Sequence, residues 1–140
     1  MKIILTGGGT AGHVEPALAV AKIMKKYDPA CDILFIGRTG GKENDAVIRS
    51  GISLVTVPVR GMERKFTPKT VGTFFMTLRA VRKSEKIIRD FGADVVFGTG
   101  GYVSFPVVFA GIRRKIPTVL HESNATFGLT VRLLAKRVDK

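Results

Sequence analysis

Five short aliphatic or β-branched runs punctuate the chain: Lys2 to Thr6, Cys31 to Gly37, Ser53 to Val59, Asp94 to Phe97 and Pro117 to His121. Each is bounded by Gly, Pro or charge, and continuous apolar runs of this length predict strands buried on both faces. Between them the apolar positions switch to helical spacing. Helices are predicted over Glu15 to Tyr27, with Pro16 in the first turn, and over Lys42 to Ser50, Pro68 to Phe91, Ser104 to Arg114 and Phe127 to Arg137. Strict alternation of strand and helix argues a doubly wound, Rossmann-like α/β domain, in which right-handed crossovers build a parallel sheet. The pattern stops straight after a helix, where another strand would be expected, so the chain reads as one domain over residues 1–140 with more to follow.

Composition changes this picture little. At 140 residues and 45% apolar content the chain is sized for one packed core. Its single cysteine, Cys31, sits in a strand run and reads as a buried residue of a reducing compartment. The N-terminus is too short in apolar residues for a secretory signal, which makes a cytosolic location the expectation. The longest apolar stretch, Tyr102 to Ile112, is about half the ~20 residues of a membrane span and contains Pro106, so any membrane contact is expected to be peripheral.

Charge adds more. With 23 Lys and Arg against 11 Asp and Glu, the formal charge of +12 favours anionic partners. Much of the excess falls between Arg60 and Asp90, where Arg60, Arg64, Lys65, Lys69, Arg79, Arg82, Lys83, Lys86 and Arg89 face only Glu63, Glu85 and Asp90. Within that segment Val71, Phe74, Phe75, Leu78, Val81 and Ile88 follow a helical stripe and are expected to face the core, while Phe66 and Met76 lie off it. Off-stripe apolar residues flanked by bases suit contact with an anionic membrane surface. No nucleic-acid recognition motif accompanies the charge, so nucleic acid is not expected as a partner.

The candidate chemistry sits at strand ends. Gly7-Gly8-Gly9-Thr10-Ala11-Gly12-His13 follows the first strand and opens a helix, where free N–H groups and the helix dipole face an anion. Gly98-Thr99-Gly100-Gly101-Tyr102-Val103-Ser104 repeats the arrangement after the fourth strand, with Ser104 as a possible helix cap. His121-Glu122-Ser123-Asn124 emerges from the fifth at the same sheet edge. His13 is a candidate general base for a hydroxyl nucleophile; the alternative is a histidine that binds phosphate or a turn. Asn124 is either a ligand contact or a helix cap. Glu122 could orient an imidazole, but His121 is its strand neighbour and points to the opposite face, so both are supporting candidates.

Gly7, Gly9 and Gly12 also satisfy the dinucleotide pattern G-x-G-x-x-G. An acidic residue at the end of the second strand would complete that site. Gly37-Arg38 stands there instead, leaving an NADP-type oxidoreductase reading through Arg38.

Taken together, the two glycine motifs, Pro16 with Ala17-Leu18-Ala19, and Leu120-His121-Glu122-Ser123-Asn124 with Gly128-Leu129-Thr130 closely resemble the N-terminal domain of the MurG family. The resemblance covers essentially the whole chain, and departs from the family pattern at Ala11, Ser123 and Val131. It implies the acceptor-side half of an inverting GT-B glycosyltransferase that needs no metal or other cofactor. The reaction implied is transfer of GlcNAc from UDP-GlcNAc to undecaprenyl-pyrophosphoryl-MurNAc-pentapeptide in peptidoglycan synthesis, by a peripheral enzyme on the cytoplasmic face of the bacterial membrane. Carried over residue by residue, it implies His13 as base, Thr10, Ala11, Gly12 and Asn124 against the donor, and Gly9, Gly100, Gly101, Tyr102 and Ser104 against the acceptor's pyrophosphate and sugar. The donor-binding C-terminal domain lies outside these residues, so the isolated domain is expected to be inactive. A membrane-recruiting subunit of a split transferase is the second reading.

Overall fold

The computed structural model describes residues 1–61 and 68–140, apart from the side chains of Ala11, Pro68 and Lys69. Phe66 and the bases Arg64 and Lys65 therefore lie outside the described residues. The chain runs β1 (Lys2–Thr6), α1 (Ala11–Tyr27), β2 (Asp32–Arg38), α2 (Asn44–Arg49), β3 (Ser53–Val57), α3 (Pro68–Phe91), β4 (Val95–Gly98), α4 (Gly101–Arg113), β5 (Thr118–Leu120) and α5 (Leu129–Leu134). All four strand pairings are parallel, in the order β3-β2-β1-β4-β5.

Alternate residues of the strands feed two separate cores. Ile3, Leu5, Ile33 and Phe35 face one way and meet Val14, Ala17 and Ala21 of α1 and Val47 of α2. Ile4, Leu34, Ile36, Val57 and Val96 face the other way, against Val81 and Ile88 of α3, Val103 and Val107 of α4 and Leu134 of α5. Burial on both faces is what continuous apolar runs require. It holds for β1 and β2, whereas β3 at the sheet edge is only partly buried.

Three expectations are corrected. Helix α1 begins at Ala11, so Pro16 lies inside it rather than in its first turn, and His13 belongs to that first turn. Helix α4 likewise begins at Gly101, with Pro106 inside it; Ser104 is a buried interior residue and caps nothing. Each proline falls at the sixth position of its helix, where its missing N–H leaves the carbonyl four residues earlier without its usual donor. The third correction concerns α3. Its stripe divides, with Val81 and Ile88 in the core while Val71, Phe74, Phe75 and Leu78 are 47, 57, 60 and 37% exposed. Met76, off the stripe, is half-buried. Among the described residues, the first half of α3 contributes no member of either core.

Candidate active site

The strand order reverses direction between β1 and β4, and there the loops after the two strands leave toward opposite faces and open a crevice. Both glycine motifs stand at this point. They pack on one another: a Cβ at Gly101 (φ +74°) would collide with the Gly8 carbonyl oxygen and lie 2.9 Å from His13 Cδ2, while the Tyr102 ring closes over Gly9 (φ +92°). Only glycine permits this approach with these backbone angles.

Hydroxyls beneath the loops fasten them. Thr99 Oγ1 donates to the His13 carbonyl and lies 3.2 Å from the Thr6 carbonyl, Ser104 Oγ contacts the Gly100 carbonyl (2.6 Å) and the Thr6 carbonyl (3.2 Å), and Thr130 Oγ1 donates to the Gly101 carbonyl (2.9 Å). Ser104 thus belongs to the frame of the second loop and does not line the crevice.

His13 lies between the loops. Its Nδ1 is 3.1 Å from the Thr99 carbonyl oxygen. A carbonyl only accepts, so Nδ1 carries the hydrogen, and in the neutral ring Nε2 keeps its lone pair. Glu122 lies within electrostatic reach of the His13 ring. Burial pushes the Glu122 carboxyl up, but the N–H groups of Gly128 and Asn124, the Asn124 side-chain amide and the His13 ring outweigh it and hold it below the usual range. Asn124 Nδ2 donates to Glu122 Oε1 at 2.7 Å and the Asn124 N–H to the same oxygen at 3.0 Å. Asn124 is exposed at the crevice mouth and caps no helix, since Gly128 stands at the start of α5. His121 donates its backbone N–H to the Gly98 carbonyl (2.7 Å), which ties β5 to β4 below the crevice.

Glu43, absent from the sequence reading of this site, enters here together with Arg38, which that reading used only for the dinucleotide alternative. Glu43 Oε1 accepts the Gly9 N–H at 3.0 Å, and Arg38 Nε donates to the same oxygen at 3.4 Å. Gly9 therefore directs its N–H at a carboxylate and not into the crevice. The only hint in sequence was the pairing of opposite charges five residues apart across a turn. Thr99 belongs to the second glycine motif, yet its hold on His13 depends on contacts between residues 86 apart.

Thr10 precedes α1 in extended conformation (φ −151°, ψ 157°), and Ala11 and Gly12 form its first turn beside His13. A groove of about 220 Å³ runs from Tyr102 past Arg60, Phe105, Leu129 and Leu133 to Thr77 of α3. No cluster of metal-ligating side chains occurs among the described residues.

Residues 3–140 match the N-terminal domain of glycosyltransferase family 28. The chain belongs to this family.

Within the family the chain is 48% identical over all its residues to the UDP-N-acetylglucosamine-N-acetylmuramyl-(pentapeptide) pyrophosphoryl-undecaprenol N-acetylglucosamine transferase of Lactococcus lactis subsp. cremoris. It is 45% identical to the transferase of the same name from Halalkalibacterium halodurans. In both cases it spans 39% of the relative's length. The crystal structure of Acinetobacter baumannii MurG superposes on 99% of the chain with a TM-score of 0.85 and 29% identity, and the chain covers 40% of that protein. A Streptomyces glycosyltransferase, SsfS6, shares the fold alone, with a TM-score of 0.67 at 15% identity. Family 28 membership removes the oxidoreductase reading of the glycine pattern.

Proposed function

We propose that this domain is the acceptor-side, N-terminal half of a transferase that moves GlcNAc from UDP-GlcNAc to undecaprenyl-pyrophosphoryl-MurNAc-pentapeptide. The observation that carries it is the meeting of both glycine loops and His13 at the switch edge of the sheet. In a single displacement the acceptor hydroxyl attacks the anomeric carbon of GlcNAc. The carbon–oxygen bond to UDP breaks with its electron pair leaving on the diphosphate, and the hydroxyl proton passes to His13 Nε2. The Thr99 carbonyl holds the ring for that transfer, and the Glu122 carboxylate favours the imidazolium that forms.

Thr10, Ala11, Gly12 and Asn124 face the donor in this reading. Gly100, Gly101 and Tyr102 meet the acceptor's diphosphate and sugar, with Gly9 and Ser104 shaping the loops. A donor-binding domain following these residues completes the crevice, in keeping with the greater length of the relatives. The groove from Tyr102 to α3 gives the lipid-linked acceptor a path from the membrane. Exposed Val71, Phe74, Phe75 and Leu78 with Arg79, Arg82 and Lys83 supply a peripheral contact with an anionic leaflet on the cytoplasmic side. No helix among the described residues is long and apolar enough to cross a membrane.

The test is direct. The full-length protein, given labelled UDP-GlcNAc and the undecaprenyl-linked acceptor in vesicles, is expected to transfer label into the lipid fraction. Absence of transfer to that acceptor, with retained hydrolysis or transfer elsewhere, rejects the assignment.

A further inference from the structure

Arg38 has no task in the mechanism above, and the dinucleotide reading that would have used it is gone. It ends β2 next to the first glycine loop. Its Nε donates to Glu43 Oε1 at 3.4 Å, and that same oxygen accepts the Gly9 N–H at 3.0 Å. The two side chains differ in exposure, 8% for Glu43 and 31% for Arg38. The carboxylate is thus the anchored member, fixed to the loop, and the guanidinium is the member that reaches solvent.

No other hydrogen bond or ion pair engages the Arg38 guanidinium among the described residues, so its two terminal amino groups keep four N–H donors. Glu43 Oε1 joins Arg38 to Gly9, and the Tyr102 ring of the second loop closes over Gly9. The cation therefore stands at the rim where the two loops meet. A partly exposed ion pair adds little stability, and Glu43 already holds Gly9 without help. The loop, meanwhile, lacks one donor, because the Gly9 N–H is turned toward Glu43.

We propose that Arg38 is a binding residue for a diphosphate seated across the two glycine loops, and that Glu43 is its positioning residue. The identity of the diphosphate rests on the transferase reading; the charge of the ligand does not. A planar guanidinium meets two phosphate oxygens as a fork, a geometry that lysine cannot reproduce. Glu43 keeps the fork turned to the crevice, and the Gly9 N–H keeps Glu43 in place. Two substrates carry a diphosphate, the sugar nucleotide and the lipid-linked acceptor, and both offer the same chemistry to Arg38.

The experiment has a binding arm and a kinetic arm, both on the full-length protein. By titration calorimetry, Arg38→Met is expected to bind inorganic pyrophosphate about 10-fold more weakly than wild type, with Arg38→Lys in between. Glu43→Gln keeps the oxygen that accepts from Gly9 but frees the guanidinium, and is expected to show a smaller loss. In steady-state assays Arg38→Met should raise KM for one substrate about 10-fold with kcat within about twofold. Which KM rises, that of UDP-GlcNAc or that of the acceptor, identifies the diphosphate. Unchanged pyrophosphate affinity in Arg38→Met overturns the proposal, and so does a fall in kcat with both KM values unchanged. If the wild type transfers no GlcNAc while Arg38→Met still loses pyrophosphate, the transferase reading fails and the role of Arg38 stands.

Discussion

His13 is held by the Thr99 carbonyl, which accepts the Nδ1 hydrogen, and lies within electrostatic reach of Glu122 in the segment after β5. With His13 as the proposed base, removing the imidazole should leave substrate binding largely intact, so His13→Ala in the full-length protein is expected to lower kcat by about 10²-fold or more. Steady-state kinetics with saturating substrates measure it, and an unchanged rate removes His13 from the mechanism. Glu122 gives a prediction in pH. Its folded pKa lies below the ordinary value, so its carboxylate contributes stability that is fully present above the unfolded pKa of about 4.3 and is lost as pH falls through the lower folded value. Wild type should therefore melt above Glu122→Gln at neutral pH, with the gap closing below about pH 4; calorimetric scans across that range provide the comparison. Burial also raises the Glu43 carboxyl, but the Gly9 N–H, its own backbone N–H and Arg38 together hold it below the usual range.

At the scale of elements, the crevice depends on how closely two strand-to-helix turns approach. Gly101 is the tightest point, combining a left-handed φ of +74° with a neighbouring carbonyl that occupies the place of a Cβ. Gly101→Ala should destabilise the domain by about 2 kcal/mol or more, a drop of about 6 °C in melting temperature for a chain of this size. Thermal unfolding followed by circular dichroism checks it. Helix α3 raises a different issue, since its first half carries four apolar side chains outward, with the Phe74 and Phe75 rings in edge contact at 5.9 Å. If this face meets a leaflet, replacing both phenylalanines by serine should weaken binding to anionic vesicles by at least about tenfold. Co-sedimentation with vesicles is the readout, and unaltered binding would mean that the face does not touch lipid.

Across the whole molecule, the charge of +12 and the apolar face of α3 would act together in the membrane contact proposed above. Each basic side chain near an anionic surface contributes about 1 kcal/mol, and this attraction is screened as the Debye length contracts from about 10 Å at 0.1 M salt to about 3 Å at 1 M. The sheet turns its carboxyl edge, with both glycine loops, to the crevice. The groove lined by Tyr102 and Thr77 connects that edge with α3.

Sequence alone determined the doubly wound fold, the extents of β1 and α3 and the two glycine motifs, because these depend on near neighbours: apolar runs, helical spacing and glycines at strand ends. It was less reliable at helix starts, placing α1 and α4 too late by treating Pro16 and Ser104 as boundary signals, when the helices already start at Ala11 and Gly101, just past Gly9 and Gly100 with their positive φ. It also assigned the outer half of the α3 stripe to the core, since spacing reports which residues share a face but not whether another element covers it. Tertiary structure decided which residues meet. The electrostatic reach of Glu122 to His13, the hold of Thr99 on His13 and the capture of the Gly9 N–H by Glu43 join residues 34 to 109 positions apart in sequence. No periodicity encodes such contacts; they exist because parallel pairing brings the ends of β1, β2, β4 and β5 to one edge of the sheet.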